Sequence, residues 1–262
     1  MEKKYIAKWS GGKDSTYLVD ELLRRGEPLN EVIFCDTGFE FPEMYDYIQK
    51  CKSYWEAKHP DLKITLLNWG KGSDIWDKWS KGKISKGNYE GRLRGFPSEL
   101  GMSWCTRELK VVPVQKYIKK NYTDCEVFYY IGIAFDEPKR VPVDWKNMIY
   151  PMVTWQITEQ RATEILKERG LHNPLYNHFS RTGCWLCPKQ GTKSLAKLHE
   201  HYPELWHELG EMDKQYKELD AVNGFKAIGL EAVSVEVKAI SRMSSEQLSM
   251  FEDEQPIGCF CK

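Results

Sequence analysis

After a short apolar run, Tyr5-Ile6-Ala7-Lys8-Trp9, comes Ser10-Gly11-Gly12-Lys13-Asp14-Ser15-Thr16. These residue types suit a bound anion. Adjacent glycines let the backbone turn tightly with positive φ, so that consecutive N–H groups converge on phosphate oxygens. Lys13 adds a point charge, and Ser15 and Thr16 add hydroxyl donors. A helical pattern from Tyr17 to Arg25 follows, and its positive end points at the same place. Two commoner phosphate loops are excluded by spacing. A Walker A loop needs four residues between its glycines and a Gly-Lys-Ser/Thr ending; a dinucleotide loop needs Gly-x-Gly-x-x-Gly. The plain alternative is a glycine turn that only links a strand to a helix.

The cysteines carry a second chemistry. Cys184 and Cys187 are separated by two residues, so one metal could take both thiolates from a tight turn. Zinc would want a tetrahedral set, and His178 is near enough in sequence to join one. Cys35 and Cys51 read as core or helix residues, and Cys125 matches no ligand pattern. His59, His172, His178, His199, His201 and His207 form no ligand spacing with acidic partners and read as helix-surface and turn residues.

The elements that must hold these groups alternate strand and helix. Glu31-Val32-Ile33-Phe34-Cys35 reads as a buried strand ending at Asp36-Thr37-Gly38. Ligands of open α/β sheets lie beyond the carboxyl ends of strands, so Asp36 is placed to hold Mg²⁺ or a ribose hydroxyl, or else to shape the turn. A helix opens at Pro42 and runs to about Lys58, and Lys63–Leu67 is the third strand. Residues 70–103 form a basic, aromatic, glycine-rich insertion with Trp69, Trp76, Trp79, Tyr89 and Phe96 in or beside it. It reads as a solvated loop with one short helix around Asp74–Trp79, or as a lid or nucleic-acid surface. Then come a helix over Thr106–Lys119, a strand over Val127–Ile133 and a helix over Glu159–Arg169 capped by Thr158. One long helix is expected over Leu195–Leu219, then an ill-defined tail in which Ser244–Glu254 is flexible or a short helix.

Composition narrows the class. The 262 residues carry 38 basic and 38 acidic side chains, so bulk charge points to neither nucleic acid nor membrane. No apolar run approaches the roughly 18 residues that span a bilayer. The first residues lead straight into a strand without a signal-peptide core, so a cytoplasmic location is expected. There, eight cysteines read as metal or redox groups rather than disulfides.

Several motifs, in order, resemble one family. The loop is similar to the Ser-Gly-Gly-x-Asp-Ser pyrophosphate loop of ATP pyrophosphatases, which split ATP between its α and β phosphates. Asp36-Thr37-Gly38-Phe39-Glu40-Phe41-Pro42-Glu43 resembles the Asp-Thr-Gly-(aromatic)-x-Phe-Pro-Glu signature of the phosphoadenosine phosphosulfate (PAPS) reductase family. The ATP sulfurylase small subunit and the DNA phosphorothioation sulfur-transfer proteins are similar in this stretch. Cys105 to Val114 resembles the Cys-Cys-x-x-x-Lys-Val-x-Pro-Leu segment of cluster-bearing adenylyl-sulfate reductases, with Trp at position 104 in place of one cysteine. Gly132 to Arg140 resembles the family's Gly-x-x-x-x-Glu-x-x-Arg turn, which makes Gly132 and Arg140 expected nucleotide contacts. Pro151-Met152-Val153-Thr154-Trp155 and Asn173-Pro174-Leu175-Tyr176 with Gly183-Cys184-x-x-Cys187 continue the likeness, which covers roughly residues 5 to 190.

The resemblance implies a parallel twisted sheet with helices on both faces, Rossmann-like and of the adenine nucleotide alpha hydrolase type. Residues 1–190 would form the nucleotide domain and 191–262 a helical extension. It implies ATP with Mg²⁺ at Ser10 to Thr16 and Asp36 to Gly38, with Lys13 and Asp14 in the reaction. It further implies a [4Fe–4S] cluster on Cys105, Cys184 and Cys187, with Cys259 or Cys261 as a possible fourth ligand and zinc as the alternative occupant. Two departures bear on the reaction. The phosphate loop is complete, which suits ATP, and the Glu-Cys-Gly-Leu-His segment of the reductases is missing. The expected activity is therefore ATP-dependent adenylylation of an acceptor, a nucleic acid among the candidates, coupled to sulfur transfer from a donor the sequence does not name. Sulfonucleotide reduction releasing sulfite, and a non-catalytic ATP-binding subunit, are the alternatives. The oligomeric state is left open.

Overall fold

The computed structural model of the protein describes residues 1–98, 103–141, 146–226 and 229–243. The first strand, β1 (Glu2–Trp9), feeds the glycine loop and then α1 (Lys13–Arg25), which stops at Gly26 in a left-handed conformation. Then β2 (Glu31–Cys35), α2 (Pro42–Lys58), β3 (Lys63–Leu67) and α3 (Gly72–Ser80) alternate as the apolar pattern requires. A π-helical turn, Thr106–Val111, runs into α4 (Val112–Asn121), followed by β4 (Cys125–Ile131), a short β5 (Met148–Ile149), α5 (Pro151–Thr154) and α6 (Glu159–Glu168). Three helices follow: α7 (Thr192–His201), α8 (Pro203–Glu218) and α9 (Gly229–Ile240).

All five strands are parallel, in the order β3-β2-β1-β4-β5, a Rossmann-like sheet. The chain leaves the central β1 toward β2 on one side and reaches β4 on the other, which opens a crevice at the carboxyl ends of β1 and β4. One sheet face carries the larger core, with Leu18 and Leu22 of α1, Met44, Ile48 and Trp55 of α2, and Ala162 and Leu166 of α6. The other packs Ile6 and Ile33 against Val114 of α4, with Tyr117 and Ile118 alongside. At the amino end of the sheet the buried Glu31 carboxylate accepts the hydroxyls of Tyr117, Tyr122 and Thr65, which tie α4 and β3 to β2 and leave no carboxylate oxygen unpaired.

The insertion and the C-terminal helices extend the larger core together. Trp76 of α3 packs against Phe96 and donates its indole N–H to Tyr216 Oη at 3.1 Å. Phe96 meets the rings of Tyr216 and Phe225. Backbone bonds from Val222 N to the Leu93 carbonyl (2.8 Å) and from Phe96 N to the Asn223 carbonyl (2.9 Å) seal the contact. The aromatic residues that could have stacked on bases are therefore largely core, although Tyr89 stays exposed.

Several boundaries differ from the sequence expectation. The helix expected over Leu195–Leu219 is two helices, because Pro203 removes an N–H and pushes Tyr202 out of the helical region. The helix expected from Thr106 is π-helical until Val111, just before Pro113 leaves one carbonyl without its usual donor. The tail, ill-defined in sequence, contains α9, which buries Leu230, Val233 and Val237 as one apolar stripe. The strand expected over Val127–Ile133 begins and ends two residues earlier. Ser244–Glu254, Cys259 and Cys261 lie outside the described residues.

Candidate functional site

At the carboxyl end of β1 the loop turns at Gly11, whose φ of +75° admits glycine readily and strains other residues. Gly12 is extended and starts α1 with no side-chain cap, so the first N–H groups of α1 face outward from the helix end. Ser10 and Ser15 shape the turn: their hydroxyls lie 3.0 Å apart, Ser15 Oγ accepts the Ser10 N–H at 3.2 Å and donates to the Gly12 carbonyl at 3.1 Å. Thr16 belongs to the core instead. It is fully buried, and its hydroxyl accepts from Trp9 Nε1 (3.0 Å) and Tyr47 Oη (3.1 Å). The exit of β4 crowds the loop, since a β-carbon on Gly132 would lie 2.8 Å from Ser15 N and 2.9 Å from the Asp14 carbonyl carbon. Gly132 thus permits the close approach that forms the crevice.

Charges gather at its mouth. Lys13 Nζ pairs with Glu159 Oε2 at 3.1 Å, and the Arg140 guanidinium pairs with Glu137. Oxygens of Asp14, Glu137 and Glu159 all lie within 4.8 Å of one another. Asp14 Oδ1 is buried and has no hydrogen-bond partner. Burial, then the Glu159 charge, pushes the Asp14 carboxyl up to about 7, against the pull of Lys13. Burial lowers the affinity of Lys13 for its proton, but Glu159 outweighs it and the net shift is upward. Glu137 and Arg140 belong to the Gly132–Arg140 motif; Glu159 carried only the signal of an acid in the first turn of a helix.

Asp36 takes the turn-shaping role of the two the sequence allowed. It is fully buried; Oδ1 accepts from Gly38 N (2.7 Å) and Tyr45 Oη (3.0 Å), and Oδ2 accepts from Gly70 N (2.9 Å). The residues after it serve the cysteines. Thr37 Oγ1 donates to Glu40 Oε1 at 2.8 Å and lies 3.0 Å from Cys184 Sγ. Gly38, with φ of +81°, packs on the start of α3. Thr37 thus contacts a thiol and Gly38 the start of α3.

Cys184 and Cys187 occupy one tight turn, with Cys187 N donating to the Cys184 carbonyl at 3.1 Å. Trp185 N donates to the Phe39 carbonyl at 3.0 Å and pins this turn to the β2 exit. Cys105 precedes the π-helical turn and lies within electrostatic reach of Cys184. Burial, then the neighbouring Glu40 charge, pushes the Cys184 thiol well above its ordinary range. Glu40 is itself shifted upward by burial, and sequence reading assigned it no role. Among the described residues the three sulfurs and His178 do not form a set within 4.8 Å, the spacing a single ion wants; His178 stacks on His201 instead, at 4.2 Å between centroids. Cys125 opens β4 at the opposite end of the sheet, and Cys51 is buried in the core.

One segment touches both centres. Asn173 Nδ2 donates to the Gly11 carbonyl at 2.9 Å, Tyr176 Oη accepts the Lys13 N–H at 3.0 Å, and the chain then continues to Cys184. No helix among the described residues is long and apolar enough to cross a membrane.

A family model described as the phosphoadenosine phosphosulfate reductase domain matches residues 4–190. Two uncharacterized proteins of Methanocaldococcus jannaschii are 26% and 28% identical over 230 and 235 residues, each alignment covering 83% of this chain and 43% and 50% of the relative. An uncharacterized nin region protein of Escherichia phage lambda is 28% identical over 145 residues, 52% of this chain and 50% of that protein. The chain thus spans about half the length of the curated relatives it matches. Among solved structures, a phosphoadenylyl-sulfate reductase from Candida auris in a phosphate complex matches with a TM-score of 0.48 and 18% identity, over 70% of this chain and 82% of that one.

Proposed function

From the premise that the chain belongs to the phosphoadenosine phosphosulfate reductase domain family, we propose that it uses ATP with Mg²⁺ to adenylylate an acceptor, as the activating half of a sulfur transfer. One observation carries this reading: the complete phosphate loop gathers its own Asp14 with Glu137 and Glu159 into one carboxylate cluster, and Asp14 Oδ1 is buried without a partner. A sulfonucleotide without a β–γ pyrophosphate has no use for a full loop. Asp14, with Glu137 and Glu159, offers hard oxygen donors of the kind Mg²⁺ prefers.

The chain's own residues then have distinct tasks. The N–H groups at the start of α1 beyond that of Lys13, which Tyr176 accepts, and the Lys13 ammonium hold the β and γ phosphates. Arg140 neutralises charge that builds on the α-phosphoryl oxygens as the acceptor oxygen attacks phosphorus. The bond to the β-phosphate oxygen breaks, and pyrophosphate leaves. Lys13 and Arg140 exchange their carboxylate partners for phosphate oxygens, which frees Glu159 and Glu137 toward the cation.

Cys105, Cys184 and Cys187 are the residues to hold a [4Fe–4S] cluster. Their two-segment arrangement, too spread for one ion, suits a cluster that distributes its ligands over several irons. Such a group, when bound, supplies an iron-held sulfur able to displace AMP. Thr37 and Glu40 orient the Cys184 sulfur. Cys184 must lose its proton to bind, so loading is favoured by raised pH.

The test is ATP–pyrophosphate exchange with Mg²⁺ in the presence of candidate acceptors, nucleic acid first, on wild type and Lys13→Ala. Exchange that disappears in the variant supports the reading, and exchange that persists removes the loop from it. Sulfite released from adenylyl sulfate with a thiol donor would instead establish reduction. Tight ATP binding without exchange would mark a subunit that needs another chain. Iron and sulfide content of protein purified without oxygen, beside Cys184→Ala, tests the cysteines: iron should fall sharply in the variant. Stoichiometric zinc and no iron would make them structural.

A further inference from the structure

The phosphate loop is walled on one side by hydroxyls that the proposed reaction does not employ. A β-carbon built on Gly12 would lie 3.4 Å from each of three oxygens: Ser10 Oγ, Tyr176 Oη and Thr182 Oγ1. Three hydroxyls from two segments therefore converge on one spot beside the Gly12 backbone, which a side chain there would crowd. Tyr176 Oη already accepts the Lys13 N–H at 3.0 Å and lies 3.5 Å from Thr182 Oγ1. A phenol that accepts one N–H still has its own proton to give. The Lys13 ammonium lies 5.4 Å from the Tyr176 ring centroid, so positive charge stands beside the same spot. The segment is held in place independently of these hydroxyls, because Asn173 is buried and bonded to the Gly11 carbonyl.

We propose that Tyr176 and Thr182 are oxyanion-binding residues whose hydroxyls donate to a terminal oxygen of a tetrahedral phosphate held over Gly12. The Lys13 N–H, the Tyr176 hydroxyl and that oxygen then form one donor chain. An O–H donating to an anionic oxygen is stronger than the same bond between neutral groups, so the site gains on binding what it lacks when empty. Burial raises the Tyr176 phenol above its ordinary range, which keeps it a neutral donor at working pH. The inference rests on reading the loop as a phosphate site and adds residues from a separate segment to it.

The experiment is calorimetric titration of the full chain with inorganic pyrophosphate, sulfate and adenosine, for wild type, Tyr176→Phe and Thr182→Val. Both substitutions keep shape and delete only a hydroxyl, and thermal melts check folding. Each should weaken pyrophosphate binding on the order of tenfold, the scale of a hydrogen bond to a charged group, while adenosine affinity holds. Unchanged pyrophosphate affinity in both variants would overturn the proposal. So would equal losses for pyrophosphate and adenosine, since a merely structural role weakens both. If wild type binds sulfate but not pyrophosphate, the ATP reading fails and the same variants judge the hydroxyls on sulfate. If it binds neither anion, both readings fall.

Discussion

Asp14 is the residue whose state most depends on its surroundings. Two carboxylates beside it are each matched by a cation, Glu159 by Lys13 and Glu137 by Arg140, and it is not. Its carboxyl is held up at about 7 by burial and by Glu159. In the unfolded chain it titrates near the ordinary aspartate value of about 4. Between those values the folded protein keeps a proton that the unfolded chain has lost. This contribution is therefore full at the acid side of the window and disappears as pH rises through about 7. Melting temperatures taken without nucleotide across roughly pH 5 to 8 should decline more steeply for wild type than for Asp14→Asn. Parallel curves for the two proteins would mean that Asp14 ionises like an exposed carboxylate.

Among the elements, those with a single strong period were legible and those set by distant partners were not. The strands Glu31–Cys35 and Lys63–Leu67 and the helix Pro42–Lys58 have the bounds that their apolar runs and Pro42 predict. The glycine turn between β1 and α1 was legible because its signal is local. Asp36 was half legible: the strand-end position was plain, but its partners Tyr45 and Gly70 come from other segments. Glu159 and Tyr176 reach the loop from more than 140 positions away, |i−j| of 146 and 163, and no local pattern announces such contacts. The insertion shows the same limit. Trp76 looks like part of a stacking surface until Tyr216 of α8 is seen to bond to it. Trp76→Ala should thus cost about 3–5 kcal/mol, the range for a large buried aromatic, and denaturant unfolding would measure it. A loss below about 1 kcal/mol would mean that the ring is a surface residue.

At the scale of the whole molecule, packing crosses residue 190. The expected nucleotide domain includes an insertion whose apolar face is closed by Tyr216 and Phe225. A fragment ending at residue 190 should accordingly lose cooperative unfolding and near-ultraviolet dichroism or aggregate. A fragment that melts sharply at the wild-type temperature would restore the simple two-part division. The joint between the two regions also has a consequence in time. Arg92 grips Asp220 across 128 positions of chain, and the backbone pairing of Phe96 with Asn223 lies beside it. A ribosome adding about 5–20 residues per second takes on the order of ten seconds to deliver that partner. Throughout that interval Trp76 and Phe96 wait on the nascent chain without the Tyr216 and Phe225 rings that close over them.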